Sequence, residues 1–202
     1  MKEYSYEAVF EIVKKEIPIK KSNSVFGITF VAGQGTGKSY VANIISQKTG
    51  LYVTSNDRIR RIYDELGFSN YDYEEDIKRM ANDRTIYLLE NRVSHIIDAN
   101  MEFFWEMAEK NFKKYGAKLY FVELICDEDE IIKRITKRAN SFHNTDNYSR
   151  ATVDDYYAYL ERKKKNAFPK EKIFFSIDVN VSGEKLEKQI DELLKKVGED
   201  NE

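Results

Sequence analysis

Hydrophobic positions change period repeatedly along the chain, and the changes mark its elements. Between residues 4 and 17, Tyr6, Val9, Phe10, Val13 and Ile17 recur at helical spacing, and Pro18 with the polar run KKSNS ends that helix. Val25–Val31 is an unbroken apolar run and reads as a buried strand, followed by a glycine loop and a helix over Gly37–Lys48 that Gly50 stops. Leu51–Thr54 reads as a short second strand, and residues 57–66 as a helix ending at Gly67. After the polar FSNYDYEED the helical pattern resumes from Ile77 to about Arg92. His95-Ile96-Ile97 is a brief buried strand ending at Asp98, and Phe103–Tyr115 a helix closed by Gly116. Lys118–Ile125 (KLYFVELI) is a clear strand, and a helix over Asp129–Arg138 leads into the polar loop ANSFHNTDNYSRA. A capping box at Thr152-Val-Asp-Asp155 opens another helix. Ile173–Ile177 is the last strand and Glu184–Val197 the last helix, with Gly183 and Gly198 near its ends. Strands alternating with helices predict parallel strands joined by right-handed crossovers, hence a helix-covered α/β sheet.

The apolar run breaks at Ala32-Gly33-Gln34-Gly35-Thr36-Gly37-Lys38-Ser39, which fits G-x-x-x-x-G-K-[ST] with alanine in first place. Glycines let successive N–H groups turn inward around phosphate oxygens, and the next helix presents its positive end to them. The phosphate-binding set is then Gly33, Gln34, Gly35, Thr36, Gly37, Lys38, Ser39 and Tyr40. Lys38 reaches the β- and γ-phosphates and the Ser39 hydroxyl ligates Mg²⁺. The competing reading is a glycine-rich strand-to-helix turn with an incidental lysine.

Several phosphate machines are excluded by what is missing. There is no Asn-Lys-x-Asp guanine reader, so ATP is the expected nucleotide, and no Leu-Ser-Gly-Gly-Gln signature. The third strand ends Ile97-Asp98-Ala99-Asn100 instead of in the Asp-Glu of ATP-driven motors. What remains is the small phosphotransferase plan. In SNDRIRR, Asp57 and Arg60 stand directly after the second strand, at the carboxyl edge beside the phosphate loop. A carboxylate there accepts a proton from an acceptor hydroxyl, while Arg60 holds an anionic group; the pair also fits a helix-start acid with a surface arginine. Arg134 and Arg138 lie one turn apart on the helix before the polar loop, and Arg150 at the loop's far end, as candidates for a lid cation or for a solvated basic face. Asp98 is placed to hold Mg²⁺ through water and Asn100 to orient a phosphate or acceptor, or both cap the next helix.

Composition narrows the setting. Of 202 residues, 42% are hydrophobic and 13% aromatic, enough for a core and against disorder. Net charge is −2, from 33 basic and 35 acidic side chains, so no basic excess points to a nucleic-acid track, although a local channel is left open. The single cysteine, Cys126, leaves no internal disulfide or cysteine-rich metal site and suits a reducing cytoplasm. The first 17 residues carry too many charges for a signal peptide, and no apolar run approaches membrane-spanning length. His95 reads as a packed strand residue, His143 as exposed, and the run ERKKKNAFPKEK (161–172) as a solvated helix end more than a nucleic-acid contact.

The phosphate loop, Asp57-x-x-Arg60, Ile97-Asp98-Ala99-Asn100 and the helix ending in Arg138 together resemble the P-loop kinases grouped with phage 5′-hydroxyl polynucleotide kinases. Zeta-toxin-type and gluconate-type small kinases, AAA-type ATP-binding proteins, share parts of the same plan. The similarity runs from about residue 25 to residue 195. It implies a three-layer P-loop fold with a five-stranded parallel sheet in order 2-3-1-4-5. The N-terminal helix and linker would occupy 1–24, the kinase domain 25–198 and a lid about 139–151. It further implies ATP and Mg²⁺, Asp57 as general base, Arg60 on acceptor phosphate and Arg138 on the ATP phosphates. Asp98-Ala99-Asn100 is similar to that family's Asp-Thr-Asn, and Ser176–Gly183 to its last-strand segment. The absent phosphatase domain and balanced charge leave the acceptor open among a nucleotide, a polynucleotide 5′ end and a small hydroxyl compound. An NTPase, or a nucleotide sensor without a phosphoryl acceptor, is the alternative.

Overall fold

The computed structural model describes residues 5–69, 72–140 and 151–201. Strands β1 (Phe26–Val31), β2 (Tyr52–Ser55), β3 (His95–Asn100), β4 (Lys118–Ile125) and β5 (Ile173–Asp178) form one sheet. All neighbours are parallel and the order is β2-β3-β1-β4-β5, as expected from the alternation and the resemblance. The helices are α1 (Tyr6–Lys15), α2 (Lys38–Thr49), α3 (Asn56–Glu65), α4 (Glu74–Glu90), α5 (Trp105–Lys114), α6 (Glu128–Asn140), α7 (Val153–Lys165) and α8 (Glu184–Asn201).

Burial explains the layering. The central strand β1 is buried at every residue but Phe26. Its Ile28 and Phe30 pack with Val41, Ala42 and Ile45 of α2 and Ile190, Leu193 and Val197 of α8. On the other face Phe112 of α5 fills the space over Gly27, where an added Cβ would stand 2.5 Å from the ring. The apolar stripe of α1 does not face water. Val9 and Val13 lie in a cluster with Ile59, Ile62 and Tyr63 of α3 and Ile77 and Met80 of α4. Around that cluster, the Tyr6 hydroxyl donates to Asp83 at 2.8 Å and Arg58 pairs with Glu16 and Glu65.

Several boundaries differ from the sequence expectation by a residue or more, three of them with a clear cause. β3 continues two residues past Asp98, because after a register irregularity Asn100 still pairs with Phe30. α4 starts at Glu74 and not Ile77, with Glu74, Glu75 and Asp76 in a first turn whose dipole favours acids. α8 passes through Gly198 to Asn201. Glycine inside a helix costs about 1 kcal/mol, and the end is tied down beyond it. The Asp200 carboxylate accepts from Lys118 at 2.8 Å and Tyr120 at 2.7 Å, and Asn201 donates to the Val197 carbonyl. The expected capping box on α7 is present, with Thr152 and Asp155 bonding each other's backbone.

Candidate active site

β1 delivers the chain into the glycine loop and α2 carries it away. Gly35 and Gly37 sit in the left-handed region at φ 79° and 98°, which favours glycine. The loop is also braced from behind. A Cβ on Gly35 would meet Ile131 of α6 at 2.9 Å, and one on Gly33 would meet the Tyr159 ring of α7 at 2.6 Å. Thr36 Oγ1 donates to the Gly33 carbonyl at 2.9 Å. Lys38 folds back, its Nζ donating to the carbonyls of Gly33 at 2.6 Å and Ala32 at 3.3 Å. Burial pushes the Lys38 ammonium down to about 8, against the opposing pull of Asp98 and Asp57, while Arg138 lowers it further. Gln34 Nε2 is buried with no hydrogen-bond partner. A lysine spending its bonds on loop carbonyls, beside an orphaned amide donor, fits a cradle shaped for a polyphosphate.

Asp98 lies among the same charges. Burial raises its carboxyl; the Ser39 hydroxyl beside it and Lys38 pull it back, Asp57 raises it, and Arg138 again lowers it. Lys38 and Asp98 therefore each sit within electrostatic reach of Asp57 and Arg138, although the sequence separates the four by up to 100 residues. Among the described residues no cluster of three His, Cys, Asp or Glu groups is set to hold a metal. One hydroxyl and one carboxylate fit Mg²⁺, which usually keeps water and substrate phosphate oxygens as its other ligands.

At the neighbouring strand end, Ser55 caps α3 by accepting from the Asp57 backbone N–H at 3.2 Å, so Asp57 sits in the first helical turn. Arg60 Nη1 donates to Asp57 at 2.9 Å, and Nη2 donates to both oxygens of Glu74 at 3.1 and 3.2 Å. Arg84, 3% exposed, donates Nη1 to the Ser55 carbonyl at 2.8 Å. Glu74 and Arg84 are not visible as site residues in the sequence. Glu74 falls in the polar stretch read as a loop, and Arg84 is one charge among many on a long helix.

Arg134 is anchored to the body of the fold. Nε pairs with Glu130 at 3.0 Å, and the guanidinium donates to the carbonyls of Thr36 at 3.3 Å and Val179 at 3.4 Å. It braces the phosphate loop from α6, a role that helical spacing alone does not disclose. Arg138, two residues before the end of the same helix at Asn140, lies within electrostatic reach of Lys38 and Asp98, whereas Arg150, His143 and residues 141–150 of the expected lid lie outside the described residues. The Asn100 side chain accepts from the Glu102 N–H at 3.0 Å and so turns the chain out of β3.

Glu102 is a further finding. Its side chain is 0% exposed; Tyr159 donates to Oε2 at 2.6 Å, and Lys163 Nζ stands 3.3 Å from Oε1 without hydrogen-bond alignment. Because the same Tyr159 ring covers Gly33, this buried carboxylate fastens α7 to the phosphate loop. Of the remaining candidates, His95 is fully buried, with Nδ1 3.0 Å from the Val93 carbonyl, and burial pushes it down to about 4. Burial likewise raises the Cys126 thiol. In the basic run, Arg162 lies 4.0 Å over the Phe103 ring and Lys172 pairs with Glu109 at 2.5 Å, so part of it is engaged within the fold. Tyr40 is 59% exposed beside the loop.

The family model for an AAA domain matches residues 28–154, a span running from β1 through the phosphate loop, Asp57, Asp98 and Arg138 to the start of α7. The chain belongs to that family. Among solved structures, the AAA domain is similar to a presumed kinase from Chloroflexus aurantiacus, with TM-score 0.64 and 14% identity over 87% of this chain and 99% of that one. It is also similar to a gluconokinase from Sinorhizobium meliloti, with TM-score 0.53 and 14% identity over 90% and 95% of the two chains. Shikimate kinase from Acinetobacter baumannii gives TM-score 0.53 and 13% identity over 91% and 98%. At these identities the likeness is one of fold, the fold of P-loop kinases. No curated protein sequence matches the chain. No helix among the described residues is long and apolar enough to cross a membrane.

Proposed function

We propose that this AAA domain is an ATP- and Mg²⁺-dependent phosphotransferase acting on the hydroxyl group of a small molecule. The observation that carries the reading is Asp57, a carboxylate held at the first turn of α3 within electrostatic reach of the loop lysine and of Asp98. Asp57 stands after β2, apart from the end of β3 where ATP-driven motors carry their water-activating acid, and label transfer to an acceptor separates the two uses of such a carboxylate. The structural neighbours, a gluconokinase and a shikimate kinase among them, support the same class.

In this reading the residues of the loop from Gly33 to Ser39 bind the ATP phosphates, and Lys38 turns from the loop carbonyls to the β- and γ-phosphates. Ser39, and Asp98 through water, would hold Mg²⁺, which would supply neutralisation of the phosphate charge. Asp57 accepts the proton of the acceptor hydroxyl as its oxygen bonds to the γ-phosphorus. The bond from that phosphorus to the β–γ bridging oxygen breaks, and ADP departs with the electron pair. Arg138 meets the charge on the transferring group, and Arg60 with Asn100 flanks the acceptor.

The test is turnover of γ-labelled ATP with Mg²⁺ against sugars and polyols, nucleosides, 5′-hydroxyl oligonucleotides and a water-only control. Label on one acceptor class supports the reading and chooses its branch. Label released only as inorganic phosphate refutes it in favour of an NTPase, and ATP binding without turnover refutes it in favour of a sensor.

A further inference from the structure

Arg60 occupies the position of an anion anchor, yet its guanidinium is already forked between two carboxylates: Nη1 on Asp57 at 2.9 Å, Nη2 on Glu74 at 3.1 and 3.2 Å. We infer that Glu74 determines acceptor specificity, and that the acceptor is an uncharged polyhydroxy compound with no phosphate, sulfate or carboxylate at the Arg60 end. The inference rests on the transferase reading above and names its substrate class.

Two carboxylates already share the one guanidinium of Arg60, which spends Nη1 and Nη2 on them. Lys78, one turn along α4 and within electrostatic reach of Glu74, donates to Glu75 at 2.8 Å, and Arg84 is buried with Nη1 on the Ser55 carbonyl. The fork is not a loose surface pair, for Arg60 is only 23% exposed in its side chain. The two helices that carry it are locked together by Ile59, Ile62, Ile77 and Met80 under α1, and Glu74 stands in the first turn of α4, where the helix dipole favours an acid. An anionic acceptor must therefore displace Glu74 from Arg60 or lie beside two carboxylates that share one guanidinium, and either course weakens its binding. Uncharged hydroxyls meet no such penalty. Asp57 and Glu74, at 39% and 41% side-chain exposure, keep oxygen surface open to accept hydrogen bonds from them.

The experiment uses the full chain, γ-labelled ATP with Mg²⁺, and acceptor pairs that differ by one anionic group: glucitol against gluconate, and a nucleoside against its 3′-monophosphate. The expected result is a KM lower by roughly two- to fivefold for the uncharged member, the scale of one partly exposed charge pair. Glu74→Gln is expected to narrow that ratio toward one, whereas a merely structural role for Glu74 would lower transfer to both members alike. Preference of the unaltered protein for the anionic members, or a ratio unmoved in Glu74→Gln, overturns the inference while the transferase reading stands. Absence of transfer to every acceptor, with ATP bound, overturns both.

Discussion

Lys38 offers a direct measurement of how the phosphate loop works. An ammonium ordinarily titrates near 10.5, and burial in the ligand-free loop brings Lys38 down to about 8. A bound polyphosphate favours the charged form, so its pKa rises on binding. The sign follows from linkage. Above pH 8 the free protein carries Lys38 largely neutral, and nucleotide binding must take up a proton, so affinity falls as pH rises. About three quarters of the lysine is charged at pH 7.5 and about a tenth at pH 9, which predicts a loss of roughly eightfold in affinity between the two. Proton uptake per nucleotide should grow from about 0.25 to about 0.9 over the same interval. Calorimetric titration of a non-hydrolysable ATP analogue with Mg²⁺, in two buffers of different ionisation enthalpy, reads both quantities. Affinity that is flat from pH 7.5 to 9, or the same slope in Lys38→Met, would refute the assignment. Stability of the nucleotide-free protein should move the opposite way. The unfolded chain binds the extra proton between about 8 and 10.5, so this lysine's penalty is full below pH 8 and is relieved as pH rises through that window.

Asp57→Asn should leave nucleotide binding nearly intact and cut transfer to the acceptor by roughly 10²–10⁴; single-turnover rates beside a nucleotide titration check it, and undiminished transfer would reduce Asp57 to a helix-start acid. Tyr159→Phe keeps the ring over Gly33 but strips Glu102 Oε2 of its donor in a buried place, a loss of about 1–3 kcal/mol in denaturant unfolding, whereas an unchanged midpoint would mean the hydroxyl is dispensable. His95 is held neutral by burial, at about 4 against an ordinary 6.5. Because the unfolded chain binds more protons between those values, stability present above pH 6.5 should drain away toward pH 4, and His95→Phe should flatten that part of the pH–stability curve.

The sequence discloses those parts of the site that are built from neighbours. The phosphate loop is contiguous, and its strand and helix differ in hydrophobic period. Asp57 and Arg60 share a face because they are three apart on a helix, and the structure pairs them. The end of β3 is misread at Asp98 because Ala99 and Asn100 have no apolar pattern, while ladder pairing with β1 carries the strand on. Partners joined only by tertiary packing leave no such trace. Glu74 reaches Arg60 from 14 residues away, across a turn, and Tyr159 reaches Glu102 over 57. Arg134, expected from helical spacing as a lid cation, shows the same effect. Its destination, the carbonyls of Thr36 and Val179, depends on how α6 lies across the sheet edge.

The docking of α1 has a consequence for where this domain can be cut. Residues 28–154 carry the family match, yet the helix that seals Ile59, Ile62, Ile77 and Met80 from water lies upstream of that span. Trimming the chain to the family boundary would strip the roof from the very helix pair that carries Asp57, Arg60 and Glu74. The span of the family match and the unit of folding are then different lengths of the same polypeptide: α1 upstream covers the α3–α4 pair, and β5 and α8 downstream complete the sheet and its core.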